Sequence, residues 1–318
     1  MPSNWIFWLG FLVFVAVMLV LDLGVFNRKA HAVKFKEALT WTAVWIALAG
    51  VFAVLIYFFG HQMTGSGRPN HTLALEFVTG YLIEESLSVD NLFVFLLIFR
   101  YFQVPSQFQH KVLFWGIIGA LVMRMFFIFA GVALINRFHW IIYAFGALLF
   151  YAGFKLLKGT ENAVDPGDNV LVKFARKFLR VTDEFHGGDF LVQRHQRTWV
   201  TPLFLVLLVV ETTDVAFAID SIPAVLAITR DPFIVFTSNV FAILGLRSLY
   251  FALAGMMEIF HFLNYGLAII LAFIGAKMIV SEWIDIHIGV ALGVVLGVLA
   301  ISIIASVIFP KKAESTGS

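Results

Sequence analysis

Six carboxylates lie inside long apolar runs, and no other feature limits the fold as tightly. Glu84, Glu85 and Asp90 fall within Gly-Tyr-Leu-Ile-Glu-Glu-Ser-Leu-Ser-Val-Asp-Asn (80–91). Glu211, Asp214 and Asp220 fall within Glu-Thr-Thr-Asp-Val-Ala-Phe-Ala-Ile-Asp-Ser (211–221). Runs of this length can cross a bilayer as helices, for which about 20 apolar residues suffice. A charged side chain at mid-bilayer costs roughly 2.5–3.5 kcal/mol on insertion scales, so six ionised and unpaired would cost on the order of 15–20 kcal/mol. Protons, basic partners, water or a bound cation must offset that cost, and the function is expected at these residues.

Composition agrees with a chain that lives in lipid. Hydrophobic residues make up 61% and charged residues 13% of the chain, with a mean hydropathy of +0.93, which points to an all-α, polytopic membrane protein. The net charge of +2 gives no sign of a nucleic-acid partner. With no cysteine, disulfides, thiolate chemistry and sulfur-ligated metal sites are excluded.

Apolar windows and the polar punctuation between them predict about nine transmembrane helices. They cover 5–26, 38–59, 73–100, 111–135, 139–157, 201–228, 233–257, 261–280 and 284–309. The first lacks a basic leader and a small-residue cleavage site, so it is expected to be retained. Residues 1–310 then form a single transmembrane domain, with one long polar connection at 158–200 and a disordered tail at 311–318. Lys and Arg in the loops set the orientation. One side holds only Arg68, Arg137 and Arg230, against fifteen basic residues on the other, seven of them in 158–200. The N-terminus is therefore expected outside, and the C-terminus and the long loop in the cytoplasm. Within that loop, Val170 to Arg180 is amphipathic and basic, as expected for a helix lying on the membrane surface.

The basic residues inside the spans expose a repeat. Ala-Leu-Val-Met-Arg124 in the fourth span is matched by Ile-Leu-Gly-Leu-Arg247 in the seventh. Tyr143 and Lys155 in the fifth, twelve residues apart, are matched by Tyr265 and Lys277 in the eighth. With Asp90-Asn91 against Asp220-Ser221, spans 3–5 (about 73–157) pair with spans 6–8 (about 201–280). Three helices is an odd number, so the second copy is predicted to be inverted in the membrane, an architecture of transporters with polar, broken helices at the midplane.

Glu211 and Asp214 share one helical face, and Asp220 follows just before Ser221-Ile-Pro223, where a proline can kink or unwind a span. Glu84, Ser88 and Asn91 form a stripe, while Asp90 lies about 100° away, so unwinding at 88–91 would bring both Asp90 and Asn91 in. The plainer reading makes these acids structural ion pairs with Arg124 and Arg247. Six acids against two arginines leave four negative charges over, and buried unpaired carboxylates do not stay ionised without a cation. Protons can supply the difference, so a proton-coupled site fits equally. All nine histidines fall in loops or near span ends. Carboxylate, amide and carbonyl oxygens suit manganese, magnesium and calcium rather than copper or zinc. Lys155 and Lys277 read as snorkelling side chains, Asp22 and Glu76 as interfacial charges, and Met123 and Met125 as packing. No Walker motif, nucleophile elbow or metalloprotease motif appears, so neither an enzyme nor an ATP-driven pump is expected.

At 80–91, at 211–224, at Asp231-Pro-Phe-Ile-Val and at 238–247 the chain resembles the TerC family of bacterial integral membrane proteins, and within it the alkali-inducible Alx branch. The likeness covers about residues 5–310. The family is similar in turn to LysE-like transporters, and its Alx branch is implicated in manganese export. The resemblance thus implies a secondary transporter in the bacterial inner membrane that exports Mn²⁺ by proton antiport. Asp90, Asn91, Glu211, Asp214, Asp220 and Ser221 would hold the ion, and Glu84 or Glu85 would carry the proton. Arg124 and Arg247 would brace the acids, with Ser88, Lys155 and Lys277 as lesser candidates. Mn²⁺ would be substrate, no cofactor would be permanently bound, and the other partners are protons and membrane lipid. The alternative, suggested by the family's link to tellurite resistance and to thylakoid protein assembly, is an assembly or stress factor acting through 158–200 without transport.

Overall fold

The computed structural model describes residues 5–24, 35–138, 140–157, 172–173, 177–182, 184–194, 197–253, 262–281, 283–284 and 286–308, apart from the side chains of Asp22, Leu23, Asp90, Phe93 and Leu253. Among these residues each apolar window becomes one long helix. They are α1 (Trp5–Gly24), α2 (Phe35–Thr64), α3 (Asn70–Tyr101), α4 (Ser106–Arg137), α5 (Ile141–Leu157), α6 (Pro202–Leu226), α7 (Pro232–Leu253), α8 (Leu263–Val280) and α9 (Ile288–Ile308). Six of them (α2, α4 and α6 to α9) are long and apolar enough to cross a membrane on length and composition alone. The acids of α3 keep its mean hydropathy down despite its 32 residues. The tail 311–318, most of 158–180 and the Asp90 side chain lie outside the described residues.

Prolines start several helices. Pro69 and Pro105 immediately precede α3 and α4, and Pro202 and Pro232 open α6 and α7, where the missing N–H has no intrahelical partner to lose. Asp231 caps α7 by accepting the Phe233 and Ile234 N–H groups at 3.0 and 3.3 Å. The expected breaks in the third and sixth spans are absent. α3 is helical through 88–91, and α6 is helical through Pro223. Pro223 lies inside the last turn of α6, three residues before the helix stops at Leu226.

α3 packs on α7, α4 on α6, and α5 on α8. The α5–α8 contact is made backbone to backbone. A Cβ at Gly146 would lie 3.0 Å from the Gly275 carbonyl oxygen, and one at Gly275 would lie 2.7 Å from that of Gly146. α1 lays Trp8 and Phe11 against Phe233 and Phe236 of α7, with ring centroids 5.2–6.2 Å apart. Large apolar side chains such as Val20, Phe58, Phe126, Tyr151 and Ile301 point outward, as a lipid-facing surface requires.

The buried apolar residues form two main clusters. One gathers Phe77, Ile83, Ile128, Ile222 and Phe241 from one half of the bundle. The other gathers Phe99, Val112, Val206, Val209 and Tyr250 from the other half. The level between them is where α3, α4, α6 and α7 place their polar residues. The sequence did not foresee the antiparallel hairpin of β1 (Leu191–Arg194) and β2 (Arg197–Val200) in the long loop. The segment just before it docks on the first turns of α4, where Lys111 donates to the Gly188 carbonyl at 2.8 Å and pairs with Asp189 at 3.4 Å.

Candidate functional site

Arg124 of α4 is the centre of the polar layer. Its Nη1 donates to Glu84 of α3, to Asn239 Oδ1 of α7 at 3.0 Å, and to Ser221 Oγ of α6 at 3.4 Å. Its Nη2 faces Asp214 Oδ1 of α6 at 3.6 Å. Asp214 and Ser221 are seven residues apart, two turns of α6, and so share the face turned to α4. Exposure is 0% for Glu84 and Asn239, 2% for Arg124 and 5% for Asp214. One guanidinium therefore serves two carboxylates out of contact with water. The other oxygens of those carboxylates, Glu84 Oε2 and Asp214 Oδ2, are buried without a hydrogen-bond partner, as are Ser88 Oγ and Arg124 Nε. An orphaned buried donor or acceptor costs about 1–3 kcal/mol, so four such atoms in one layer call for a chemical reason.

The remaining candidates surround this centre without entering it. Glu211 lies one turn before Asp214, and its carboxylate fills the space that a Cβ on Gly119 of α4 would take. Asp220 is half-buried and lies within the field of the Lys155 charge on α5. Lys155 itself is exposed, two residues before α5 ends at Leu157. Asn91 is buried, while Arg247 and Lys277 are half-buried. Glu85 faces away from Glu84, a consequence of the 100° step between neighbours on a helix. It accepts the Tyr81 hydroxyl at 2.9 Å and lies close to Gly245 of α7, with its Oε2 buried and unpartnered. Of the two residues expected to carry the proton, Glu84 or Glu85, Glu84 is an Arg124 partner here. Among the described residues no three His, Asp or Glu side chains are placed to share an ion; the Asp90 side chain lies outside those residues.

Sequence reasoning missed two parts of the site. Asn239 supplies an amide oxygen to Arg124, and its signal was the run Thr237-Ser238-Asn239, fully buried inside an otherwise apolar span. Glu76 is not a simple interfacial charge. Arg68 Nη1 donates to both of its carboxylate oxygens, at 2.6 and 2.8 Å, while Nη2 reaches Asp231 Oδ2 at 3.2 Å. This clamp ties the α2–α3 connection to the α6–α7 connection at one end of the bundle.

The model of the family described as "Integral membrane protein TerC family" matches residues 70–314. An uncharacterized membrane protein of Myxococcus xanthus is 48% identical over 310 residues, 97% of this chain and 94% of that protein. A protein of Escherichia coli (strain K12) named "Putative membrane-bound redox modulator Alx" is 48% identical over 298 residues, 93% of this chain and 92% of its own. An uncharacterized membrane protein of Rickettsia bellii is 40% identical over 301 residues, 95% of this chain and 97% of that relative. No solved structure matches. With helices of this length and a family match over most of its residues, the chain is an integral membrane protein that belongs to the TerC family.

Proposed function

We propose that the chain is a secondary transporter exporting Mn²⁺ from the cytoplasm in exchange for protons. The observation that carries this reading is the polar layer itself. Two carboxylates share one guanidinium between two apolar clusters, each with an oxygen left unsatisfied. The oxygens at hand are carboxylate, amide and hydroxyl, hard donors of the kind that manganese, magnesium and calcium accept. Glu211 and Asp220 extend the acidic path to either side of Asp214 along α6, and Asp90 is the corresponding acid of α3. Glu85, held by Tyr81 apart from the Arg124 centre, is suited to carry the proton. Ligand carboxylates must be deprotonated to bind metal, which makes proton exchange the natural coupling.

The helix packing favours an inverted repeat as the moving device. In the register that pairs Tyr143 with Tyr265 and Lys155 with Lys277, Gly146 corresponds to Ala268 and Gly153 to Gly275. Gly146 touches Gly275, and Gly153 touches the Ala268 carbonyl, with a Cβ at Gly153 placed 2.6 Å from that oxygen. The repeat therefore exchanges these two contacts, as a two-fold axis through the α5–α8 crossing would. Rocking one repeat against the other would then open the polar layer to each side in turn. The loop charges orient the N-terminus outside a bacterial inner membrane and the C-terminus inside. A redox role, as the name of the Escherichia coli relative suggests for that protein, would have to operate here without thiols.

Cells challenged with manganese test the assignment. Asp214→Asn, Asp220→Asn and Asp90→Asn variants, made at normal levels, are expected to lose protection. Full protection by all three would contradict the site.

A further inference from the structure

Arg124 stands where a cation would stand. Glu84 Oε1, Asn239 Oδ1 and Ser221 Oγ converge on its Nη1, and Asp214 Oδ1 faces its Nη2. These oxygens come from three helices, α3, α6 and α7, and the guanidinium from a fourth. Two carboxylates, an amide and a hydroxyl make a donor set for a hard divalent ion. A purely structural ion pair would be expected to satisfy both oxygens of each carboxylate. Here Glu84 Oε2, Asp214 Oδ2 and the nearby Ser88 Oγ are buried and unpartnered. They are spare ligands for an ion that takes more oxygens than a guanidinium can reach. Arg124 Nε is also unpartnered, so the head group is held through its two terminal nitrogens alone.

We propose that Arg124 is a tethered cation that occupies the ligand cage of the empty carrier and is displaced by the substrate ion, with Asn239 as one of the ligands that they share. The inference rests on the transport reading above and adds the competitor and one ligand to it. Glu211 is positioned to receive the displaced guanidinium. It lies one turn before Asp214 and packs on Gly119, in the helix that carries Arg124. Three ionised carboxylates, one guanidinium and one divalent ion sum to zero charge, so the loaded layer can stay buried. In the empty carrier the tethered charge replaces the ion, and the carboxylates never face the apolar clusters bare. Competition also weakens apparent affinity in proportion to the fraction of time that the cage is open, which favours release.

The test is Mn²⁺ binding to the full chain in lipid nanodiscs, read from the spin-resonance signal of free Mn²⁺, with Mg²⁺ and Ca²⁺ as competitors. If the arginine fills the cage nine-tenths of the time, Arg124→Gln should bind Mn²⁺ about tenfold tighter than the unmodified protein and exchange it more slowly. Adding Asn239→Leu should return most of that gain. Arg124→Lys, whose shorter point charge cannot span Glu84 and Asp214 together, should also bind more tightly, and it carries the test if Arg124→Gln does not fold. Unchanged or weaker binding in the folded variants, with Mn²⁺ still bound and moved by the unmodified protein, overturns the tethered cation and leaves transport standing. An unmodified protein that neither binds nor moves any of the three ions overturns the transport reading, and this cage with it.

Discussion

Arg124 brings one positive charge to a layer that holds Glu84 and Asp214, and the residues around it determine what that imbalance can do. Removing one partner of a buried charge pair costs about 3–5 kcal/mol, so the layer is sensitive to single substitutions. Gly119 is the most informative of these positions. It makes no hydrogen bond through a side chain, yet its missing Cβ is what admits the Glu211 carboxylate. Gly119→Val should displace Glu211 by more than about 1 Å and cut Mn²⁺ flux by about a hundredfold. Overpacking against a flexible carboxylate end should cost only about 1 kcal/mol of stability, so the thermal midpoint should barely move. Retained flux with Glu211 displaced would remove that residue from the path. The acids and Arg124 were legible in the sequence because charge inside an apolar run is costly wherever it occurs, and Ser221 because it follows Asp220 as Asn91 follows Asp90. Asn239 and Gly119 were not, because an amide or a glycine costs a span little and is common where helices merely pack. Only the contact across helices reveals what each one does.

At the scale of elements, the helices were readable because a run of apolar residues in lipid has little choice but to form one. What the residues could not disclose was how each helix ends and crosses its neighbours. Pro223 carried the expectation of a mid-span break, but α6 stays helical through it and ends three residues later, at Leu226. The α5–α8 crossing depends on two glycines whose nearest opposing atoms include backbone, which cannot swing aside. Gly146→Leu should therefore lower stability by about 2–3 kcal/mol, measured as a fall in thermal midpoint in detergent. Gly293→Leu, on the open face of α9 with nothing within 4 Å, should leave the midpoint unchanged. Equal midpoints would argue against the close crossing.

The clamp between Arg68, Glu76 and Asp231 gives the connections a pH dependence. Burial pushes the Asp231 carboxyl above its ordinary 3.8, against the Ile234 and Phe233 amides and the Arg68 charge, which pull it down. A raised value means that the folded protein holds the proton more tightly than the unfolded chain. The stabilisation is fully present below pH 3.8 and is lost as pH rises through the raised value. Asp231→Asn keeps an oxygen for the α7 cap and removes the titration, so stability against pH should fall less steeply over that window than in the unmodified protein. Parallel curves would contradict it.

For the whole molecule, the arrangement that matters is a polar layer closed off by an apolar cluster on each side. Such a layer is sealed from water in this conformation, and transport requires that it open to one side at a time. The most direct measurement is ion movement into liposomes that contain the purified protein and a pH dye. Mn²⁺ should be offered alongside Ca²⁺, Mg²⁺ and Zn²⁺. The account predicts saturable Mn²⁺ movement with protons moving the opposite way, both abolished in Asp214→Asn. Folded protein in both orientations that moves none of these ions would contradict it, and would leave the buried acids and Arg124 as struts of a membrane protein that acts through its partners.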